Sequence, residues 1–148
     1  MQKLNFSIDI NASREKVWKV LWGDKSYRDW TSAFAEGSYA VTDDWKEGSK
    51  VLFLGPGGQE GMVSKVDSKR PNEFMSFEHQ GVVKDGIEDT TSDQVRAWKG
   101  AKENYTLKDK GKGTELVIDM DITETYQDYF QETWPKALER VKNLSEAN

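Results

Sequence analysis

Along the first ten positions apolar and polar residues alternate. Leu4, Phe6, Ile8 and Ile10 stand against Lys3, Asn5, Ser7 and Asp9. A period of two predicts a strand with one buried face. Ser13 then offers an N-cap for a helix over 13–22, with Glu15 in its first turn, where the helix dipole favours negative charge. Val17, Val20 and Leu21 form a stripe at helical spacing, and Trp18 and Trp22 lie one turn apart beside it. Gly23 ends this helix, and a short second helix is predicted over 25–30.

From residue 36 to residue 122 the period is two, interrupted by turns. Strands are predicted over 38–42 and 50–54, linked through Asp43-Asp44-Trp45-Lys46-Glu47-Gly48. Gly55-Pro56-Gly57-Gly58 predicts a tight connection into a strand over 61–66. Arg70-Pro71-Asn72 turns into a strand over 74–79, and the strands over 102–107 and 115–122 are joined by Asp109-Lys110-Gly111-Lys112-Gly113. In the last of these, Leu116, Ile118, Met120 and Ile122 alternate with Glu115, Val117, Asp119 and Asp121. One dry face and one mostly wet face predict an antiparallel sheet covered on one side.

From about residue 124 the period returns to helical. Tyr126, Phe130, Trp134, Ala137, Val141 and Leu144 share one broad stripe, with Leu138 at its edge. A helix over 126–144 would be about 28 Å long, enough to cross a sheet. Pro135 falls inside it. A proline removes one helical hydrogen bond, here to the Gln131 carbonyl, and disfavours the helical region for the residue before it. The expectation is a kink at Trp134 between two arms, 124–133 and 135–144. The order strand, two short helices, six strands, long helix predicts an α+β layer pair. A curved antiparallel sheet of about seven strands would wrap around the last helix, in a single domain over 1–148.

Composition narrows the function classes. The 148 residues carry a net charge of −5, which disfavours binding to a phosphate backbone, so no nucleic-acid partner is expected. The absence of cysteine excludes disulfides, thiolate catalysis and cysteine metal sites. His79 is the one histidine, so no multi-histidine metal site can form, and a hydrolytic triad could form only around it. The first ten residues lack the apolar run of a signal peptide, and no stretch of about 18 apolar residues exists to span a membrane. These features read as a cytoplasmic protein without metal or cofactor. Gly55 to Gly61 lacks the Gly-Lys-Ser/Thr ending of a phosphate loop and leads into a strand. The acidic run Asp85-Gly86-Ile87-Glu88-Asp89 lacks calcium-loop spacing and predicts a solvated loop.

By strand parity Met75, Phe77 and His79 share an inward face, as do Glu103, Tyr105 and Leu107. Two placements of His79 and Glu103 are open. They could meet inside the fold as a perturbed acid–base pair. They could instead stand at strand ends, wet and idle, and the usual exposure of strand ends favours this second placement. Trp30, Phe34, Tyr39, Phe53, Phe77, Tyr105, Phe130 and Trp134 are candidates for the space between sheet and helix, with Met120 on the dry face of the last strand. They would make either a filled core or an apolar cavity with a few polar groups, which is how small-molecule sites are built.

The element order and several short motifs carry a resemblance. They are Ile10-Asn11-Ala12-Ser13-Arg14-Glu15-Lys16-Val17-Trp18, Trp30, Trp45-Lys46-Glu47-Gly48, Gly113-Thr114-Glu115-Leu116 and Trp134-Pro135-Lys136-Ala137-Leu138. Together they resemble the START-like (SRPBCC) superfamily, and within it the activator of heat-shock-protein-90 ATPase homologue-like family. The sequence departs from that pattern at Ser13, often proline in relatives, and in the long connection over 81–95. The resemblance implies the helix-grip fold and leaves function open, because fold alone does not fix activity. Three functions follow as expectations. The first is noncatalytic binding of a small apolar or amphipathic molecule between sheet and C-terminal helix, through Trp30, Phe34, Tyr39, Phe53, Phe77, His79, Glu103, Tyr105, Met120, Phe130 and Trp134. The second, implied by the family, is a co-chaperone-like module of the heat-shock-protein-90 system. The third is a cyclase- or hydrolase-type enzyme using His79 and Glu103. No convincing catalytic constellation stands in the sequence, so noncatalytic binding leads.

Overall fold

A computed structural model describes residues 1–147. Strand β1 (Gln2–Ile10) is followed by helices α1 (Arg14–Trp22) and α2 (Asp24–Thr31). Strands β2 (Tyr39–Thr42), β3 (Lys50–Leu54), β4 (Glu60–Arg70), β5 (Phe74–Lys84) and β6 (Ile87–Asp89) come next, then the short helix α3 (Asp93–Arg96). Strands β7 (Lys102–Lys110) and β8 (Gly113–Ile122) lead into the long helix α4 (Gln127–Glu146). The sheet is ordered β1-β8-β7-β5-β4-β3-β2, with β6 paired to β5 beside this path, and every pairing is antiparallel. Helix α4 packs against β1, α1 and α2. No helix among the described residues is long and apolar enough to cross a membrane.

Local chemistry sets the elements that matter for the interior. The Ser13 hydroxyl accepts the Lys16 N–H at 3.2 Å and so caps α1, which buries Val17, Val20, Leu21 and Trp22. The alternation along β8 delivers Leu116, Ile118, Met120 and Ile122 to the core, and Met75 and Phe77 enter from β5. Each such side chain contributes about 1.5–3 kcal/mol on full burial. The loop between β2 and β3 places Asp44 and Trp45 at φ 55° and 56°. That conformation is costly for a bulky residue. It is held by the Trp45 ring packing on Trp22 at 5.0 Å and on Tyr27 and Phe77 at 5.9 Å.

Three expectations need correction. The sheet has eight strands because the acidic run over 85–89 is not simply a solvated loop. Asp85 and Gly86 turn at φ 52° and 77°, and β6 folds back on the end of β5. Gly81 permits this approach, since a Cβ there would lie 2.1 Å from the Asp89 carbonyl oxygen. Second, β4 and β5 run well past their predicted ends, so His79 stands five residues inside the end of β5.

Third, α4 is one continuous helix through Pro135, not two arms broken at Trp134. Two physical reasons combine. Pro135 and Gln131 are both exposed, so the carbonyl that loses its partner lies on the solvent face. Trp134 is only 3% exposed and is fixed by Phe6, Trp30, Phe34 and Tyr105, with ring centroids 4.9–6.1 Å away. Packing on that scale outweighs the extended preference of a residue preceding proline.

Candidate functional site

Between the inner face of the sheet and the N-terminal half of α4 lies a cavity of about 710 Å3. The exposed side chains of Met1, Tyr126 and Tyr129 mark its mouth. Helix α2 supplies Trp30 and the following turn Phe34; α4 supplies Phe130 and Trp134. The sheet supplies Phe53, His79, Glu103, Tyr105 and Met120. These nine of the expected residues line one cavity. The aromatic side chains hold one another: Phe34 meets Trp134 edge-on at 4.9 Å, and Phe34 and Phe130 lie 6.3 Å apart. The indole N–H of Trp30 donates to the Leu21 carbonyl at 3.2 Å, and that of Trp134 to Met120 Sδ at 3.1 Å.

Two expected residues stand elsewhere. Phe77 is fully buried behind the wall, edge-on to Phe53 at 5.1 Å and to Trp22 at 5.4 Å. Tyr39 lies outside it, under the Arg28 guanidinium at 5.0 Å, and packs on the small cluster of Leu54, Val63 and Val83. Tyr27, Trp98 and Asp121 also line the cavity and were not foreseen. Tyr27 follows from its place one turn before Trp30 on α2; Trp98 lies in the connection from β5 to β7, where no period could place it.

The polar part of the wall is a chain of hydrogen bonds across three strands. Ser64 of β4 and His79 of β5 are directly paired, so their side chains meet on one face, with Ser64 Oγ 2.6 Å from His79 Nδ1. Glu103 of β7 pairs with Phe77, two residues from His79, and Glu103 Oε1 lies 3.1 Å from His79 Nε2. Tyr105, two residues along β7, donates its hydroxyl to Glu103 Oε2 at 2.5 Å. The idle, solvated placement of His79 and Glu103 is therefore wrong, because β5 continues past His79 and buries it to 7% exposure.

Burial pushes the Glu103 carboxyl up, but the hydrogen bond and charge of His79 and the Tyr105 hydroxyl outweigh it and hold it below the ordinary carboxylate value. Burial, then the Glu103 charge and hydrogen bond, push the Tyr105 phenol well above its ordinary value. Glu103 is thus a carboxylate accepting two hydrogen bonds, and Nε2 of His79 carries a proton. Nδ1 accepts from Ser64 when the ring is neutral and donates to it when the ring is charged. Ser64 is fully buried behind the ring and does not reach the cavity, so it is no accessible nucleophile. What the wall presents is a fixed carboxylate and an oriented imidazole at the edge of an aromatic space.

No family model matches the chain, and no curated protein does. Solved structures do. The Aha1 dimer from Colwellia psychrerythraea aligns with TM-score 0.73 at 21% identity, over 99% of this chain and 97% of that one. CalU16 from Micromonospora echinospora aligns with TM-score 0.67 at 14% identity, over 97% and 76%. DynU16, from the dynemicin biosynthetic locus, aligns with TM-score 0.70 at 13% identity, over 99% of this chain and 48% of that one. The chain has the helix-grip fold. In this fold the gap between grip and helix is bounded by the sheet on one side and α4 on the other. The cavity described above occupies it. At these identities the likeness carries the fold alone.

Proposed function

We propose that the protein binds a small amphipathic molecule without transforming it. The apolar body lies between the sheet and α4, and the polar head faces Glu103. One observation carries this reading: a cavity of about 710 Å3 has aromatic walls and a connected chain of polar groups at Glu103. Its size lies within the roughly 300–1,000 Å3 of small-molecule sites, and few polar groups among many apolar ones is their usual make-up. A thermal-shift screen of lipids, sterols and aromatic compounds tests it. A ligand at 100 times its Kd adds about 2.7 kcal/mol of stability. Absence of any shift across all classes counts against the reading.

The His79–Glu103 pair supports a second reading, a cyclase- or hydrolase-type enzyme, because a carboxylate and an imidazole on a cavity wall can exchange protons with a bound molecule. Turnover of a discovered substrate that survives His79→Ala unchanged would remove it. The co-chaperone-like reading draws support only from the family resemblance and from the likeness in fold to the Aha1 dimer. An ATPase assay of the chaperone with and without this protein tests it.

A further inference from the structure

We propose that the head group of the ligand is cationic: an organic amine whose ammonium lies against the Glu103 carboxylate. This rests on the binding function proposed above. It follows from what the wall offers and what it withholds.

The charge on the wall is negative. Glu60, Glu103 and Asp121 line the cavity; the Met1 α-ammonium stands at its exposed mouth, and among the described residues no lysine or arginine side chain lines it. Asp121 is already paired with Lys3 at 2.9 Å and with the Lys102 N–H at 2.9 Å. Glu60 is exposed. Glu103 is therefore the acceptor left for a ligand. Each of its oxygens takes one hydrogen bond from the protein and keeps a lone pair for another donor.

Most donors on the wall are engaged. The Trp30 indole, the Thr31 and Ser38 hydroxyls and the Tyr129 hydroxyl all donate to backbone carbonyls. The Trp134 indole donates to Met120, and the Tyr105 hydroxyl to Glu103. His79, the side chain that might have met an anion, has Nε2 on Glu103 and Nδ1 on Ser64, so it offers the cavity no free N–H. The Tyr27, Thr123 and Tyr126 hydroxyls, without a side-chain hydrogen bond among the described residues, can accept as readily as donate, and the Trp98 indole N–H is a donor without a partner there. A carboxylate or phosphate head would face a carboxylate across a wall poor in free donors. An ammonium head finds an acceptor with spare lone pairs and aromatic faces that attract cations.

The test compares dodecylamine, dodecanol and dodecanoate, below their aggregation thresholds, by calorimetric titration of the full chain and of Glu103→Gln. The amine should bind about tenfold tighter than the other two, or more. Glu103→Gln should erase that preference by weakening the amine far more than dodecanol. The variant also separates a local contact from general attraction to an acidic chain, because it removes one charge of a net −5. Dodecanol or dodecanoate binding as tightly as the amine overturns the cationic head while leaving the binding function standing. An amine preference that survives in folded Glu103→Gln overturns the role of Glu103. Binding of none of the three overturns the cationic head, and the thermal-shift screen of the other ligand classes then decides the binding function. The ranking on the unmodified protein tests the charge of the head even where the variant does not fold.

Discussion

The His79 imidazole and the Glu103 carboxylate lie 3.1 Å apart on neighbouring strands, at the wall of an aromatic cavity. A buried ion pair stabilises weakly at best against an apolar substitute of the same shape. Under the binding function proposed above, its place on the cavity wall gives the pair a role in recognition, and its partners make that proposal testable.

Ser64 is the first. It is fully buried and holds His79 Nδ1 at 2.6 Å. Ser64→Ala leaves a buried ring nitrogen without a partner, which costs about 1–3 kcal/mol. Chemical denaturation should read that loss. The 15N resonances of the imidazole should move with it. A variant as stable as the parent, with unmoved ring resonances, would show that the hydroxyl does not fix the ring.

Acid stability is the second. Folding holds the Glu103 carboxyl below its ordinary value of 4.5: burial raises it, and the His79 and Tyr105 contacts more than reverse that. A group whose folded value is lowered contributes stability that is fully present above the unfolded value. That contribution is lost as pH falls through the folded value. The stability difference between the parent and Glu103→Gln should therefore shrink as pH drops from about 6 to about 3. Urea unfolding at stepped pH measures it, and a difference that stays constant or grows contradicts the assignment.

Pro135 is the third. Helix α4 passes through it unbroken, and the residue faces solvent. Pro135→Ala restores the hydrogen bond to the Gln131 carbonyl. It should stabilise the protein by about 1–3 kcal/mol with the fold retained. Destabilisation would mean that the geometry proline imposes is needed by the packing around Trp134.

The periodicity of the chain made most of this architecture legible. The cap at Ser13, the alternation of β8 and the stripe on α4 each follow from residues spaced for one element, and each stands where the pattern put it. The wall residues were legible for the same reason, because parity placed His79 with Phe77 and Glu103 with Tyr105. Ser64 was hidden by a register shift between Val63 and Ser64, which sends both side chains into buried positions and breaks the period. Strand β6 was hidden by its length of three residues and by Ile87, which is apolar yet 70% exposed. Pro135 misled because a local rule was applied where tertiary packing of Trp134 decides.

The central claim is that an amphipathic molecule enters between sheet and α4. The six tryptophans report on it directly: Trp30, Trp98 and Trp134 line the cavity, and Trp18, Trp22 and Trp45 do not. A titration with dodecylamine, dodecanol or dodecanoate, followed through the indole N–H resonances in 15N-labelled protein, separates the two sets. The account predicts saturable shifts at Trp30, Trp98 and Trp134 with Trp18 and Trp45 unmoved. Shifts confined to Trp18 and Trp45, or no shift with any of the three molecules, would contradict it.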